Sequence, residues 1–187
     1  MRLSRAATVA DLSHQDFVCE IHRAVEAAEL PVVRGNRTQT PFRIAAGLYL
    51  PKGYTSKAEY VDMELAEPVV RGHFCKKLAE ALPEGIDVIW AKRIPASAPH
   101  LRASYAEICY TVFGVFDSLS ADIFRDQSPL IVVRRKHDKE KTVDVKASLS
   151  EFQLLENGIR FSLRIGPEGN PSPEEVVLAV SKVSERD

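Results

Sequence analysis

Leu12-Ser13-His14-Gln15-Asp16-Phe17 is the stretch that decides the fold of the first half of this sequence. The Ser13 side chain is expected to cap the free amides of a helix, and Asp16, three residues on, to reach back to the Ser13 amide. Apolar residues recur at helical spacing from Phe17 onward. The helix ends before Pro31, because the residue that precedes a proline avoids helical geometry. The sequence therefore predicts a capped helix with one buried face.

Strand patterns lie on both sides of this helix, and a second helix follows them. The segments run in the order β-α-β-β-α-β, which is the ferredoxin-like split βαβ pattern. In that α+β arrangement both helices cover one face of a four-stranded antiparallel sheet, so we expect the other face to be free to bind. The predicted strands are Arg2–Asp11, Val32–Val33, Phe42–Leu50, Tyr60–Leu65 and Ile86–Ala91, and the second helix runs from Glu67-Pro68 to Pro83.

A linker is predicted from Ile94 to Ala103, where proline, alanine and serine replace the periodic segments. The chain would then divide into a ferredoxin-like α+β unit, residues 1–96, and a smaller α+β unit, residues 97–187, packed on the first. In the second unit, Asn157-Gly158 is typical of a β-hairpin turn. Ser172-Pro173-Glu174-Glu175 predicts the start of the last helix, and we expect both glutamates to be exposed in its first turn.

Composition and charge narrow the class of protein. The 187 residues are 45% hydrophobic and carry a formal net charge of −1, which predicts a compact globular protein. The sequence has no run of eighteen apolar residues and no signal-peptide pattern, so we expect a cytoplasmic protein without a membrane partner. Cys19, Cys75 and Cys109 are odd in number and far apart, which favours neither a disulfide framework nor a metal knuckle. We therefore expect no metal and no cofactor.

A basic segment, Pro31–Ala58, contains no aspartate or glutamate and holds five cations. Cations gathered without counter-charges usually meet an anionic partner or a solvated edge. The start of a helix adds amide donors that hold anions. The predicted substrate-binding residues therefore combine the first helical turn with this segment: Ser13, His14, Arg34, Arg37 and Arg43. His14 has a second interpretation, as a structural histidine beside a helix cap.

No catalytic residue is predicted. The sequence lacks the Gly-x-Gly-x-x-Gly, P-loop, His-Glu-x-x-His and Gly-x-Ser-x-Gly signatures, which weakens an enzymatic interpretation without deciding it. An RNA-cleaving or RNA-modifying enzyme that uses His14 with Arg34 and Arg37 is a third hypothesis. It lacks a nucleophile or a metal-ligand set in the sequence.

Several segments resemble the radical-SAM-linked domain of unknown function. Leu12–Asp16 is similar to that family's Phe-Leu-Ser-His-Leu-Asp motif, and Tyr54–Asp62 to its Ser-x-Ala-Glu-Tyr-x-Asp motif. The resemblance implies an accessory role beside a radical SAM protein, which would be the partner, without independent chemistry. Further similar segments extend it over nearly the whole chain: Leu30–Val32, Val143–Val145, Gly166–Gly169 and Pro173-Glu174-Glu175.

The sequence departs from that family at one loop. Where the family has Gly-Phe-x-Pro-x-Pro, this chain has Gly35–Phe42, in which one glycine and one proline remain. The cysteines also do not form the Cys-x-x-x-Cys-x-x-Cys triad that holds a [4Fe–4S] cluster. The chain is therefore not itself predicted to be the radical enzyme.

Two functions from different classes follow from these patterns. In the first, the chain is a binding module whose basic segment contacts RNA or another phosphate-bearing substrate and presents it to the partner enzyme. In the second, it is a protein–protein docking module that uses the sheet face or the charged hairpin Arg134–Lys141 and binds no nucleic acid. The segregation of charge favours the first. The position of Arg34, Arg37 and Arg43 relative to His14 discriminates between the two.

Overall fold

A computed structural model describes residues 1–116, 128–136, 139–166 and 170–184. The chain divides into two compact units, Met1–Ser104 and Tyr105–Asp187. This division follows directly after the predicted linker and lies eight residues beyond the predicted boundary at residue 96.

The first unit contains a four-stranded sheet and two long helices. All neighbouring strands are antiparallel, and their order across the sheet is β2-β3-β1-β4. Two short 3-10 helices, Ala7–Val9 and Leu101–Ser104, accompany them. The elements in chain order are β1 (Arg2–Arg5), α1 (His14–Ala27), β2 (Ile44–Ala46), β3 (Ser56–Met63), α2 (Arg71–Ala81) and β4 (Val88–Trp90).

One hydrophobic core joins both helices to the same face of this sheet. Phe17 and Ile21 on α1, Leu78 on α2, and Leu3 and Val61 on the central strands β1 and β3 are all buried in it. Each such side chain contributes roughly 1.5–3 kcal/mol relative to an exposed position. The predicted helical cap is confirmed, because the Ser13 hydroxyl accepts the Asp16 amide while the Asp16 carboxylate accepts the Ser13 amide.

Most strands of the first unit are shorter than predicted, whereas β3 begins four residues before the predicted Tyr60. β1 ends at Arg5 instead of continuing to Asp11, because Arg5 is buried and its guanidinium donates to the carbonyls of Val9, Ala10 and Leu12. These bonds hold the chain in a 3-10 helix where a strand was expected. The predicted strand pair at 32–33 and 42–50 reduces to β2 and two isolated bridges, Val32 to Leu65 and Arg34 to Phe42.

The second unit contains a three-stranded sheet, a two-stranded hairpin and two helices. The three-stranded sheet has the antiparallel order β5-β9-β8, and β6 pairs with β7. Within the described ranges the chain thus has four α-helices and three antiparallel sheets, which confirms the predicted α+β class. The elements are β5 (Glu107–Phe113), β6 (Ile131–Lys136), β7 (Lys139–Asp144), α3 (Val145–Ser148), β8 (Leu149–Leu155), β9 (Gly158–Arg164) and α4 (Pro173–Ser184).

The predicted hairpin at Asn157-Gly158 is confirmed by the pairing of β8 with β9. Gly158 also lies against β5, where a Cβ atom would come within 2.1 Å of the Val112 carbonyl oxygen. Only glycine fits this approach, so the residue that turns the hairpin also permits the neighbouring strand to pair.

The expectation that both glutamates of the last helix are exposed is wrong for Glu175. Glu174 is exposed, but the Glu175 side chain is only 14% exposed and forms an ion pair with Arg134 at 2.6 Å. Its carboxylate also accepts the Ser172 amide at 2.8 Å. Arg134 belongs to β6, in the charged hairpin that the sequence predicted, so the pair joins β6 to the start of α4. The tip residues His137 and Asp138 lie outside the described ranges.

None of the helices in the part of the chain that the structure describes has the length and apolar composition needed to cross a bilayer.

Candidate nucleic-acid interface

Ser13 and His14 lie at the start of α1, where the structure gives both a local role. The Ser13 hydroxyl is occupied by the cap with Asp16. The His14 ring packs against Tyr49 with 5.7 Å between ring centroids, and its buried Nδ1 has no hydrogen-bond partner among the described residues. Burial, followed by the nearby charges of Arg102 and Arg5, lowers the pKa of His14. A neutral imidazole adds no positive charge for a phosphate at pH 7.

Two of the three predicted arginines are paired with carboxylates from outside the basic segment. Arg34 lies 3.2 Å from Glu26 of α1, and its guanidinium is 5.0 Å from the centre of the Phe42 ring. Arg43 forms two bonds to Glu64, at 3.1 and 3.2 Å. The basic segment contains no acidic residue of its own, but carboxylates from other parts of the folded chain neutralise two of its arginines.

Arg37 differs from these two arginines, because it is exposed and forms no ion pair with any described residue. The five predicted site residues do not form one cluster. Glu26, the partner of Arg34, lies twelve residues after His14 on the same helix, a separation of about 18 Å at the helical rise. The structure thus places Ser13 and His14 near one end of α1 and Arg34 near the other.

His22 links α1 to the basic segment. Its ring is 3% exposed, lies parallel to the Phe42 ring at 6.0 Å, and accepts the Phe42 amide on Nδ1 at 3.3 Å. Only the neutral ring can accept this bond, and burial lowers the pKa of His22.

We expect the His22 contact to make the first unit less stable in mild acid. A histidine whose pKa is lower in the folded state contributes stability above its unfolded pKa, about 6.5, and this contribution is lost as the pH falls through the folded value. The free energy of unfolding, measured with urea, should fall more between about pH 7 and pH 5 for the wild type than for His22→Asn. Asparagine keeps a hydrogen-bond acceptor but does not titrate. The same comparison with His14→Asn distinguishes the contribution of His22 to the pH dependence from that of His14. Equal pH profiles for wild type and His22→Asn would contradict the assignment.

A row of side chains on the other face of the first sheet was missed by the sequence predictions. On adjacent strands, Arg2 is paired with Tyr60 of β3 on one side and with Trp90 of β4 on the other. Side chains alternate along a strand, and Leu3 and Val61, the neighbours of Arg2 and Tyr60, lie in the core, so the row faces away from the helices. The two aromatic rings meet edge to face at 6.2 Å.

Lys92 completes this row, with its ammonium 5.9 Å from the centre of the Trp90 ring. Arg2, Tyr60, Trp90 and Lys92 are called the sheet-face cluster below. Lys92 is exposed and the other three side chains are half-buried. The Arg2 guanidinium donates to the Lys57 carbonyl at 2.7 Å, and neither Arg2 nor Lys92 forms an ion pair with a described residue. Arg2 thus lies between the two aromatic residues on the central strand, and Lys92 lies over the Trp90 ring, with Asp62 the next acidic residue along β3 on the same face.

A β-bulge explains why strand periodicity does not reveal this cluster. Arg2 pairs with Trp90 and Leu3 with Val88, so Ile89 is an extra residue on β4. Counting by twos from the core residue Val88 would place Trp90 in the core as well. The bulge turns Trp90 to the opposite face, and no local sequence signal marks it.

The described fold and surfaces define a small α+β protein with a candidate binding face on its first unit. Among the described residues, no group of three or more histidine, cysteine, aspartate or glutamate side chains is placed to hold a metal ion. The chain belongs to the family described as an uncharacterized protein conserved in bacteria (DUF2344), whose sequence profile matches residues 1–176. No curated protein and no solved structure shows significant similarity to the chain.

Proposed function

We propose that this protein is an accessory domain that binds single-stranded RNA on the sheet face of its first unit and acts beside a radical SAM protein. The observation that supports RNA binding is the sheet-face cluster, in which the rings of Tyr60 and Trp90 lie beside the cations Arg2 and Lys92 on one face of the sheet. Single-stranded bases stack on aromatic side chains, and neighbouring cations contact the phosphates. The radical SAM partner is supported by the resemblance of the sequence motifs alone.

We also propose that the first unit is ferredoxin-like. In support, β1, α1 and β2 form one split βαβ unit around β3, and β3, α2 and β4 form a second around β1. All neighbouring strands are antiparallel, as that fold requires. In this arrangement α1 and α2 both cover one face of the sheet, and the sheet-face cluster lies on the other face.

Trp90 gives the first test a built-in probe, because it is the only tryptophan in the chain. Titration with a ten-nucleotide single-stranded RNA at about 50 mM salt should quench its fluorescence when a base stacks on the ring. Stacking contributes roughly 1–3 kcal/mol per base, so Tyr60→Ala and Trp90→Ala should each weaken binding about tenfold or more in fluorescence anisotropy with a labelled strand. The same strand in a duplex should bind more weakly, because its bases are already stacked.

Two control variants separate the sheet-face cluster from other surfaces. Phe113→Ala removes an aromatic ring that is 74% exposed on the second unit and should leave the affinity unchanged. The triple variant Arg34→Ala, Arg37→Ala, Arg43→Ala should flatten the salt dependence by at most about 0.7, because none of the three belongs to the sheet-face cluster and two of them are ion-paired. A decrease of about two would restore the basic segment as the main contact. A folded wild type that binds no RNA at low salt would instead favour the protein-docking function.

A further inference from the structure

We infer that a cleft at one end of the first sheet binds one nucleotide of the RNA strand held on the sheet-face cluster. This inference rests on the proposed function and names where the strand continues. The cleft has a volume of about 1000 Å³ and lies entirely within the first unit. It opens where β1 begins and where β3 and β4 end, and the segment after β4 forms its opposite wall. Its volume is at the upper end of the range for small-molecule sites.

The walls of the cleft are suited to a flat apolar group. Met63 and Phe74 line it from the core side, and Leu65 and Ile94 line it with side chains that remain 38% and 41% exposed. Large apolar side chains left partly exposed in a concave site gain stability when a ligand removes them from water. A nucleobase presents two apolar faces of the required kind.

The charges of the cleft match one phosphate group. Arg43 and Glu64 neutralise each other, which leaves three cations against two carboxylates among the charged side chains of the lining. The three cations are Arg71, Lys92 and Arg93, and the two acids are Asp62 and Glu67. Arg71 and Arg93 are exposed and form no ion pair with a described residue. A phosphodiester carries a single negative charge, and one guanidinium group can donate two parallel hydrogen bonds to its oxygens.

The cleft is continuous with the sheet-face cluster. Lys92 belongs to both, because it lines the cleft and lies over the Trp90 ring. Asp62 also lines the cleft and follows Tyr60 by two positions on the same face of β3, a distance of about 7 Å along the strand. A strand of RNA that stacks on Trp90 and Tyr60 therefore reaches the cleft with its next nucleotide.

The test uses adenosine monophosphate as a probe of the full chain, followed by amide chemical shifts in NMR. We expect shifts centred on residues that line the cleft, such as Ala66 and Ile94, and affinities at least tenfold lower for adenosine or inorganic phosphate alone. The double variant Arg71→Ala, Arg93→Ala should bind the nucleotide at least tenfold more weakly. The control Arg23→Ala, Lys76→Ala removes two exposed, ion-paired cations outside the cleft and should bind as the wild type does.

The decamer RNA separates this inference from the proposed function. The cleft variant should still bind the decamer and quench Trp90, because the aromatic rings are intact, with a moderate loss of affinity. Decamer binding that is identical in the wild type and the cleft variant, with no nucleotide shifts in the cleft, would overturn the cleft site and leave RNA binding intact. Nucleotide binding in the cleft by a protein that binds no decamer would overturn the RNA function instead.

Discussion

Replacement of Arg5 by methionine should lower the stability of the first unit by about 3 kcal/mol. Arg5 is 1% exposed, and its guanidinium donates to Val9 at 3.2 Å, to Ala10 at 2.6 Å and to Leu12. Methionine fills much of the same volume but leaves these carbonyl oxygens without their donor, and an unsatisfied buried polar group costs about 1–3 kcal/mol. Part of this loss is offset, because methionine removes a buried charge that forms no ion pair with a described residue and interacts with the Glu59 carboxylate only at longer range. Urea unfolding monitored by Trp90 reports on this unit alone.

Arg23→Met is the matched control for this experiment. Arg23 is an exposed arginine on α1 that pairs with Glu20, and exposed pairs of this kind contribute about 0.2–1 kcal/mol. A variant Arg5→Met as stable as the wild type would mean that the cost of burying the guanidinium equals the value of its hydrogen bonds. That result would contradict the interpretation that the hydrogen bonds of Arg5 end β1.

Replacement of Glu175 by alanine should destabilise the second unit by about 2 kcal/mol. The carboxylate accepts two bonds from Arg134, at 2.7 and 2.6 Å, and one from the Ser172 amide. Loss of one partner from a buried ion pair costs about 3–5 kcal/mol, and the partial exposure of Arg134 reduces this value here. Amide hydrogen exchange in β6 and α4 measures the change, because no tryptophan lies in this unit. Glu174→Ala, in the same helical turn, should have a smaller effect.

The effect of Glu175→Ala should disappear in acid. The hydrogen bond from Arg134 lowers the pKa of Glu175 below its ordinary value, which is about 4.3. A carboxylate with a lowered pKa contributes stability above the ordinary value and loses it as the pH falls through the folded one. The difference between wild type and variant should therefore be full at pH 7 and shrink below about pH 4. A difference that is the same at pH 3 and pH 7 would show that packing, not the ion pair, is what Glu175 contributes.

Helix caps and turn residues were predictable from the sequence because their effects are local. The Ser13 and Asp16 cap depends on residues three apart, and the Asn157-Gly158 turn on two adjacent ones. The end of β1 at Arg5 was not predictable, because a charged residue in a strand pattern predicts a side chain exposed to solvent. Burial of Arg5 depends on carbonyls presented by the chain after it, and these take their places only when the unit is folded.

The candidate site was harder to predict than the fold, since its charges are paired across long sequence separations. Arg43 and Glu64 are 21 residues apart, so the basic segment is uncompensated only when the sequence is considered linearly. The sheet-face cluster joins residues of three strands with Lys92, which follows β4, and its members Arg2 and Trp90 are separated by most of the first unit. The extra residue at Ile89 then reverses the face that simple alternation assigns to Trp90. Contacts of this kind depend on strand order and register, which the local pattern of a single sequence does not determine.

The alternation of side chains along β1 has a consequence for strand registration. β1 has only four residues, yet it is paired on both sides and lies in the interior of the sheet. Its core-facing residues are Leu3 and Arg5, and its opposite face carries Arg2 and Ser4. A slip of one residue would exchange the two faces, moving Leu3 into water and separating the buried guanidinium from its three carbonyls. Even a strand this short therefore has one pairing that is well separated in energy from its neighbours.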